Sequence, residues 1–167
     1  MTPQPQRIIW ADGTQEWRVD DQLHRTDGPA RILADGTKEW WVYNQLHRTD
    51  GPAVIHAKGT QAWYVNGQLH RTDGPAWIDA DGTKEWWVNN QRHRTDGPAV
   101  ILANGQQEWW VKGENITAQV LSWQQQQSVT WPPGSGNTST ICIDMGLILC
   151  YCWIELEEYE TNELPKV

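Results

Sequence analysis

The chain has 167 residues, with thirteen Trp, four Tyr, no Phe and a net charge of −8. That length suits one domain or one short repeat array, and with hydrophobic residues at only 38% a few large aromatics must supply most of the buried area. An acidic chain without a Lys/Arg cluster offers phosphate backbones and anionic lipids little to hold, so neither nucleic acid nor a membrane is an expected partner.

From about residue 8 to residue 115 the sequence repeats every 23 residues. The register aligns Ala11-Asp12-Gly13-Thr14, Ala34-Asp35-Gly36-Thr37, Ala57-Lys58-Gly59-Thr60, Ala80-Asp81-Gly82-Thr83 and Ala103-Asn104-Gly105-Gln106. It also aligns Trp17, Trp40, Trp63, Trp86 and Trp109, then Val19, Val42, Val65, Val88 and Val111, and four copies of HRTDGPA from His24, His47, His70 and His93. Four and a half units result. Each reads as strand, turn, strand, turn, with Asp-Gly or Asn-Gly pairs supplying positive φ in tight hairpins. In the third unit the strands are expected near Ala53 to Ala57 and Thr60 to Val65. The expected fold is mainly β: an elongated single antiparallel sheet of β-hairpin repeats, followed by a short C-terminal helix and tail.

Period-two alternation assigns Ile32, Ile55, Ile78 and Ile101, with the repeated Trp and Val, to an inner face. The opposite face varies along the first strands as Arg31, Val54, Trp77 and Val100, and as Leu33, His56, Asp79 and Leu102, which suits exposure. On the second strands it carries Glu39, Ala62, Glu85 and Glu108 beside Arg18, Trp41, Tyr64, Trp87 and Trp110. Two strands per unit space these aromatics roughly 10 Å apart along the sheet. Such a stripe is either a binding ladder or a surface covered by the C-terminal segment or the twisted sheet.

The span from Trp63 to Trp86, WYVNGQLHRTDGPAWIDADGTKEW, resembles the MORN repeat family, whose units are 23-residue β-hairpins with an aromatic-rich strand, an NG or DG turn, a Gly-Lys-x-His-Gly-like segment and a second DG turn. The resemblance covers residues 8–115. The family's Gly-x-Gly after the His is replaced here by Arg-Thr-Asp-Gly-Pro-Ala, and its Tyr-x-Gly by Glu-Trp-Trp. The HRTDGPA variety is similar to repeats of bacterial and phage proteins. The resemblance implies a scaffold or interaction module and names no partner.

Within HRTDGPA, Asp27, Asp50, Asp73 and Asp96 are expected to accept backbone N–H groups and organise a turn, with Gly supplying a difficult φ and Pro fixing the next strand. The His row reads as stacking or hydrogen bonding between units rather than as four metal or catalytic sites. Arg25, Arg48, Arg71 and Arg94 read as partners of Asp or Glu in neighbouring units, the alternative being a cationic row for an anionic ligand. Arg92 replaces the leucine of earlier units. No Gly-rich phosphate loop, Gly-x-Ser-x-Gly or HExxH occurs, so neither an enzyme nor a cofactor or metal is expected.

Residues 116–167 read as a C-terminal cap, in which Thr117 is the N-cap of a helix over 118–127 presenting Val120, Leu121 and Trp123. A loop follows at 131–140, then a strand pair within 141–156, with helix as the alternative. Six acidic residues and one basic residue fall in this tail, against fifteen and twelve before it. Cys142, Cys150 and Cys152 form no metal or disulfide spacing and read as buried thiols. The longest apolar run, Met145 to Ile154, is short of the roughly 20 residues of a membrane helix. A soluble, cytoplasmic protein is expected.

These features together predict a noncatalytic protein-interaction module whose partner lies across an exposed face bearing Trp41, Tyr64, Trp77, Trp87 and Trp110. Planar aromatics at regular spacing also suit a small ligand, nucleotide or glycan. A lower-ranked reading is a phage or viral inhibitor that places its acidic surface in a nucleic-acid site of a host enzyme.

Overall fold

The computed structural model describes residues 4–127; the expected loop at 131–140, the strand pair within 141–156 and the three cysteines lie outside them. The described residues are mainly β, a long antiparallel sheet not closed into a barrel, with one helix at Thr117–Gln127. No helix among them is long and apolar enough to cross a membrane.

The third unit shows how the sequence builds the sheet. Val54–Ile55 runs out, residues 56–60 turn, and Gln61–Ala62 returns with Val54 opposite Ala62 and Ile55 opposite Gln61. Trp77–Ile78 of the next unit then pairs on the far side of Gln61–Ala62, so the units add strands in chain order. The main sheet therefore starts at Gln6–Ile9 and ends at Gln107–Glu108.

The strand expected from Thr60 to Val65 is broken at Trp63. Tyr64–Val65 leaves the main sheet and pairs with Gln68–Leu69 in a small hairpin of its own. The same side hairpin forms at Trp41–Val42 with Gln45–Leu46, Trp87–Val88 with Gln91–Arg92, and Trp110–Val111 with Glu114–Asn115. Only in the first unit does one strand, Gln15–Val19, serve both pairings. Each repeated Trp makes the corner: the Trp63 N–H donates to the Ala76 carbonyl at 2.8 Å, and the His70 N–H donates to the Trp63 carbonyl at 3.0 Å. Ladder pairing shifts where the next unit presents Pro75, which has no N–H to give. The side hairpins bond to one another, as in the Gly67 N–H donating to the Leu46 carbonyl at 2.9 Å and the Arg48 N–H to the Tyr64 carbonyl at 3.0 Å. A second row thus runs beside the main sheet, where one set of strands was expected.

The two turns of a unit differ. In the Ala-Asp-Gly-Thr turn only the glycine has positive φ, 92° at Gly36, and its N–H donates to the Leu33 carbonyl at 2.9 Å. This is a type I turn closed by a glycine bulge. Asp12, Asp35, Asp81 and Asn104 each accept the N–H of the residue two positions on at 2.8–2.9 Å. In the second turn both central residues are left-handed, Asn66 at 50° and Gly67 at 74°, the type I′ geometry anticipated for tight hairpins. Threonines stitch successive first turns together: the Ala57, Ala80 and Ala103 N–H groups donate to the hydroxyls of Thr37, Thr60 and Thr83 at 3.2–3.3 Å.

The core is not confined to the expected face: Val19 of that face is buried and Trp63 packs on the central cluster, but Val54 and Val100 of the opposite face are buried too. Val54 and Val100 are 6% and 2% exposed, whereas Ile32, Ile55, Ile78 and Ile101 are half-buried. Val54, Ala62, Leu69 and Ala76 form the central cluster, with Leu46, Trp63, Tyr64, Trp77 and Trp87 packed against it. Cross-strand register alone does not decide which side chains are buried. Ile55 sits between Lys38 and Gln61 and Val54 between Glu39 and Ala62, so both faces have polar partners; what differs is that the side-hairpin aromatics pack over Val54 and Ala62. Ala30, Ala53, Ala76 and Ala99 are fully enclosed.

Candidate functional site

The repeated motif is consumed by folding. In each copy the Arg guanidinium lies over the Trp of its own unit, with centroid distances of 4.3, 4.1, 4.3 and 4.1 Å for Arg25–Trp17, Arg48–Trp40, Arg71–Trp63 and Arg94–Trp86. Its Nε donates at 2.8 Å to the Asp two residues on, and its Nη1 donates at 3.2–3.3 Å to the carbonyl of the following Pro. The Arg therefore pairs inside its own motif, not with a neighbouring unit. The Asp side chains serve chiefly as its acceptors, and the guanidinium holds Asp27, Asp50, Asp73 and Asp96 below the usual carboxylate range. The glycine has no left-handed φ; a Cβ at Gly28, Gly51, Gly74 or Gly97 would stand 3.0–3.1 Å from the guanidinium carbon. What glycine provides here is space above the Arg, not backbone freedom.

The histidines join units. The Nδ1 atoms of His47 and His70 lie 2.9 and 2.8 Å from the side-chain oxygens of Asn66 and Asn89, and His93 Nδ1 accepts the Lys112 N–H at 3.1 Å. His24 instead stacks on Tyr43 with centroids 4.1 Å apart. Among the described residues no group of three His, Cys, Asp or Glu is placed to hold a metal ion.

Trp41, Tyr64, Trp87 and Trp110 are half-buried. The indole N–H groups of Trp41, Trp87 and Trp110 donate at 2.8–2.9 Å to Glu39, Glu85 and Glu108, two residues earlier on the same face. Burial pushes the Tyr64 hydroxyl above its ordinary pKa. The structure brings Tyr64, Trp77 and Trp87 together on the central cluster and leaves Trp41 and Trp110 outside it. Leu46, Leu69 and Arg92 stand opposite Trp41, Tyr64 and Trp87 in the side hairpins. Arg92 lies 5.1 Å from the ring centroids of both Trp87 and Trp110, and its Nε donates to Glu85 at 3.0 Å.

The residues that differ between units gather on the main sheet beside this stripe. Around Trp77 they line a shallow, open depression of about 280 Å³, formed with Asp35, Thr37, His56, Ala57, Lys58 and Thr60. The His56 and Trp77 rings stand 6.4 Å apart at 54°. Asp79 accepts the Thr60 hydroxyl at 2.5 Å and the Ala80 N–H at 2.8 Å, and these bonds hold its carboxyl below the usual range. Asp35 is lowered mainly by the Thr37 N–H.

No protein-family model matches this sequence, and no curated protein matches it.

Function is therefore read from what the fold does not need. Since four other units form the same strand with Ile8, Arg31, Val54 or Val100 at the position of Trp77, the indole there is not a requirement of the repeat. Sequence reasoning passed over Arg92 as a bridge between two stripe aromatics, and over His56, Asp35 and Asp79 as neighbours of Trp77. The departures at positions 56, 79 and 92 were the available signal.

Proposed function

We propose that the chain is a noncatalytic, MORN-like β-hairpin repeat scaffold that binds a protein partner across the face carrying Trp77 and the stripe of Trp41, Tyr64, Trp87 and Trp110. One observation carries this reading: on an otherwise repeated sheet, the unrepeated side chains Arg31, His56, Trp77, Asp79 and Arg92 lie along one face beside half-exposed aromatics. Half-buried aromatics and Arg set in a polar surround have the composition of interface anchors.

Affinity purification from the native cell, with the full chain and with Trp77→Val and Trp87→Tyr, tests it. Both replacements copy residues found at the equivalent positions of the third unit, Val54 and Tyr64, so the variants should fold. A specific protein recovered with the wild-type chain and lost with the variants supports the interaction module. Equal recovery with all three chains removes this face from the reading.

A further inference from the structure

The acidic side chains of this face differ in how they are neutralised. Glu16 lies 2.9 Å from Arg18 and 3.3 Å from Arg31, Glu39 lies 3.8 Å from Arg31, and Glu85 lies 3.0 Å from Arg92. Asp35, in the lining of the Trp77 depression, and Asp79, which accepts the hydroxyl of the lining Thr60, have no Lys or Arg within ion-pair distance among the described residues. His56 lines the same depression as Asp35. The depression thus offers an indole wall and the Asp35 carboxylate beside the Lys58 ammonium, with a second carboxylate, that of Asp79, bonded to the lining Thr60.

The molecule itself shows what such a set holds. Four times it places a guanidinium 4.1–4.3 Å from an indole centroid with an Asp oxygen 2.8 Å from Nε. A fifth Arg is set between Trp87 and Trp110 with Glu85 at its edge. Trp77 with Asp35 and Asp79 repeats that chemistry without its cation. We propose that this depression receives the guanidinium or ammonium end of a basic side chain presented by a protein partner, with the indole of Trp77 against it, Asp35 in its lining and Asp79 beside Thr60. The cation–π attraction and the two carboxylates select positive charge over a neutral ring. This inference rests on the interaction-module reading and specifies the partner's chemistry.

The test titrates the full chain with a short Gly-Arg-Gly peptide and with the same peptide carrying citrulline, the neutral isostere of arginine. Indole N–H resonances are followed by NMR, and Trp77 is assigned from Trp77→Phe. Saturable shifts centred on Trp77 are expected with arginine and not with citrulline. The double variant Asp35→Asn, Asp79→Asn should bind roughly tenfold more weakly. Asn keeps an acceptor oxygen for the turn, as Asn104 does for Gln106. Equal binding by the double variant, equal binding of citrulline, or shifts centred on Trp17, Trp40, Trp63 and Trp86 overturns the proposal. A neutral oligosaccharide saturating Trp77 where arginine does not would make the depression a glycan site. Capture from the native cell separates the two readings. Loss of the partner with Trp77→Val but not with the double Asn variant sinks the cation site alone, whereas retention by both variants sinks the role of this face as well.

Discussion

Arg71 is held on four sides, by the face of Trp63, the carboxylate of Asp73, the carbonyl of Pro75 and the absence of a side chain at Gly74. The Asp is largely exposed, so the ion pair adds little by itself. The guanidinium packed on the indole is the larger contribution, roughly 0.5–2 kcal/mol by the range for such contacts. Gly74→Ala should displace Arg71 and destabilise the chain by about 1 kcal/mol in urea unfolding. In an Arg71→Ala background the same change should cost close to nothing, so a double-mutant cycle isolates the steric coupling. A full cost in both backgrounds would return the glycine to a backbone role. The sequence displayed every member of this lock at fixed spacing, yet not its geometry, because a spacing of Arg-x-Asp-Gly-Pro fits equally well a carboxylate capping a turn.

The side hairpins depend on pairs of left-handed residues. Asn66 and Asn89 meet that demand readily, while Lys112, at φ 51°, occupies a region that costs an ordinary L-residue about 1–2 kcal/mol. Lys112→Asn should therefore stabilise the last unit by roughly 0.5–1 kcal/mol, visible as a higher urea midpoint at unchanged slope. No gain would mean that the lysine side chain compensates its own backbone. At the end of the array the helix takes over bonds that the next unit would make. The Trp109 N–H, whose counterparts donate to alanine carbonyls, donates to the Thr117 hydroxyl at 2.9 Å. Thr117 was expected to cap the helix, but its hydroxyl is turned back to the sheet and Asn115 accepts the Thr117 N–H.

At the scale of the whole array, each unit bonds to its neighbours through the same short list of groups. Excising residues 49–71 removes one full period and joins Arg48 to Thr72, which restores the RTDGPA motif. The shortened chain should keep the circular dichroism of the sheet and lose denaturant resistance and slope in proportion to the lost surface. Collapse to a disordered chain would show that the units are not interchangeable. The 23-residue period, the turn positions, the antiparallel sheet and the helix near 118–127 followed from the sequence alone, because turn chemistry and strand alternation are local and are written five times over. Which side chains form the core followed only in part, since Val54 and Val100 were expected on the exposed face. Alternation says which side chains share a face, whereas burial depends on what lies across from them, and that was set by the breaks at Trp40, Trp63, Trp86 and Trp109. Those breaks swing the side hairpins over Val54 and Ala62, make the aromatic stripe part lining and part surface, and leave Trp77 beside Asp35 and His56, residues 42 and 21 positions away in the chain. Only tertiary packing joins groups so far apart.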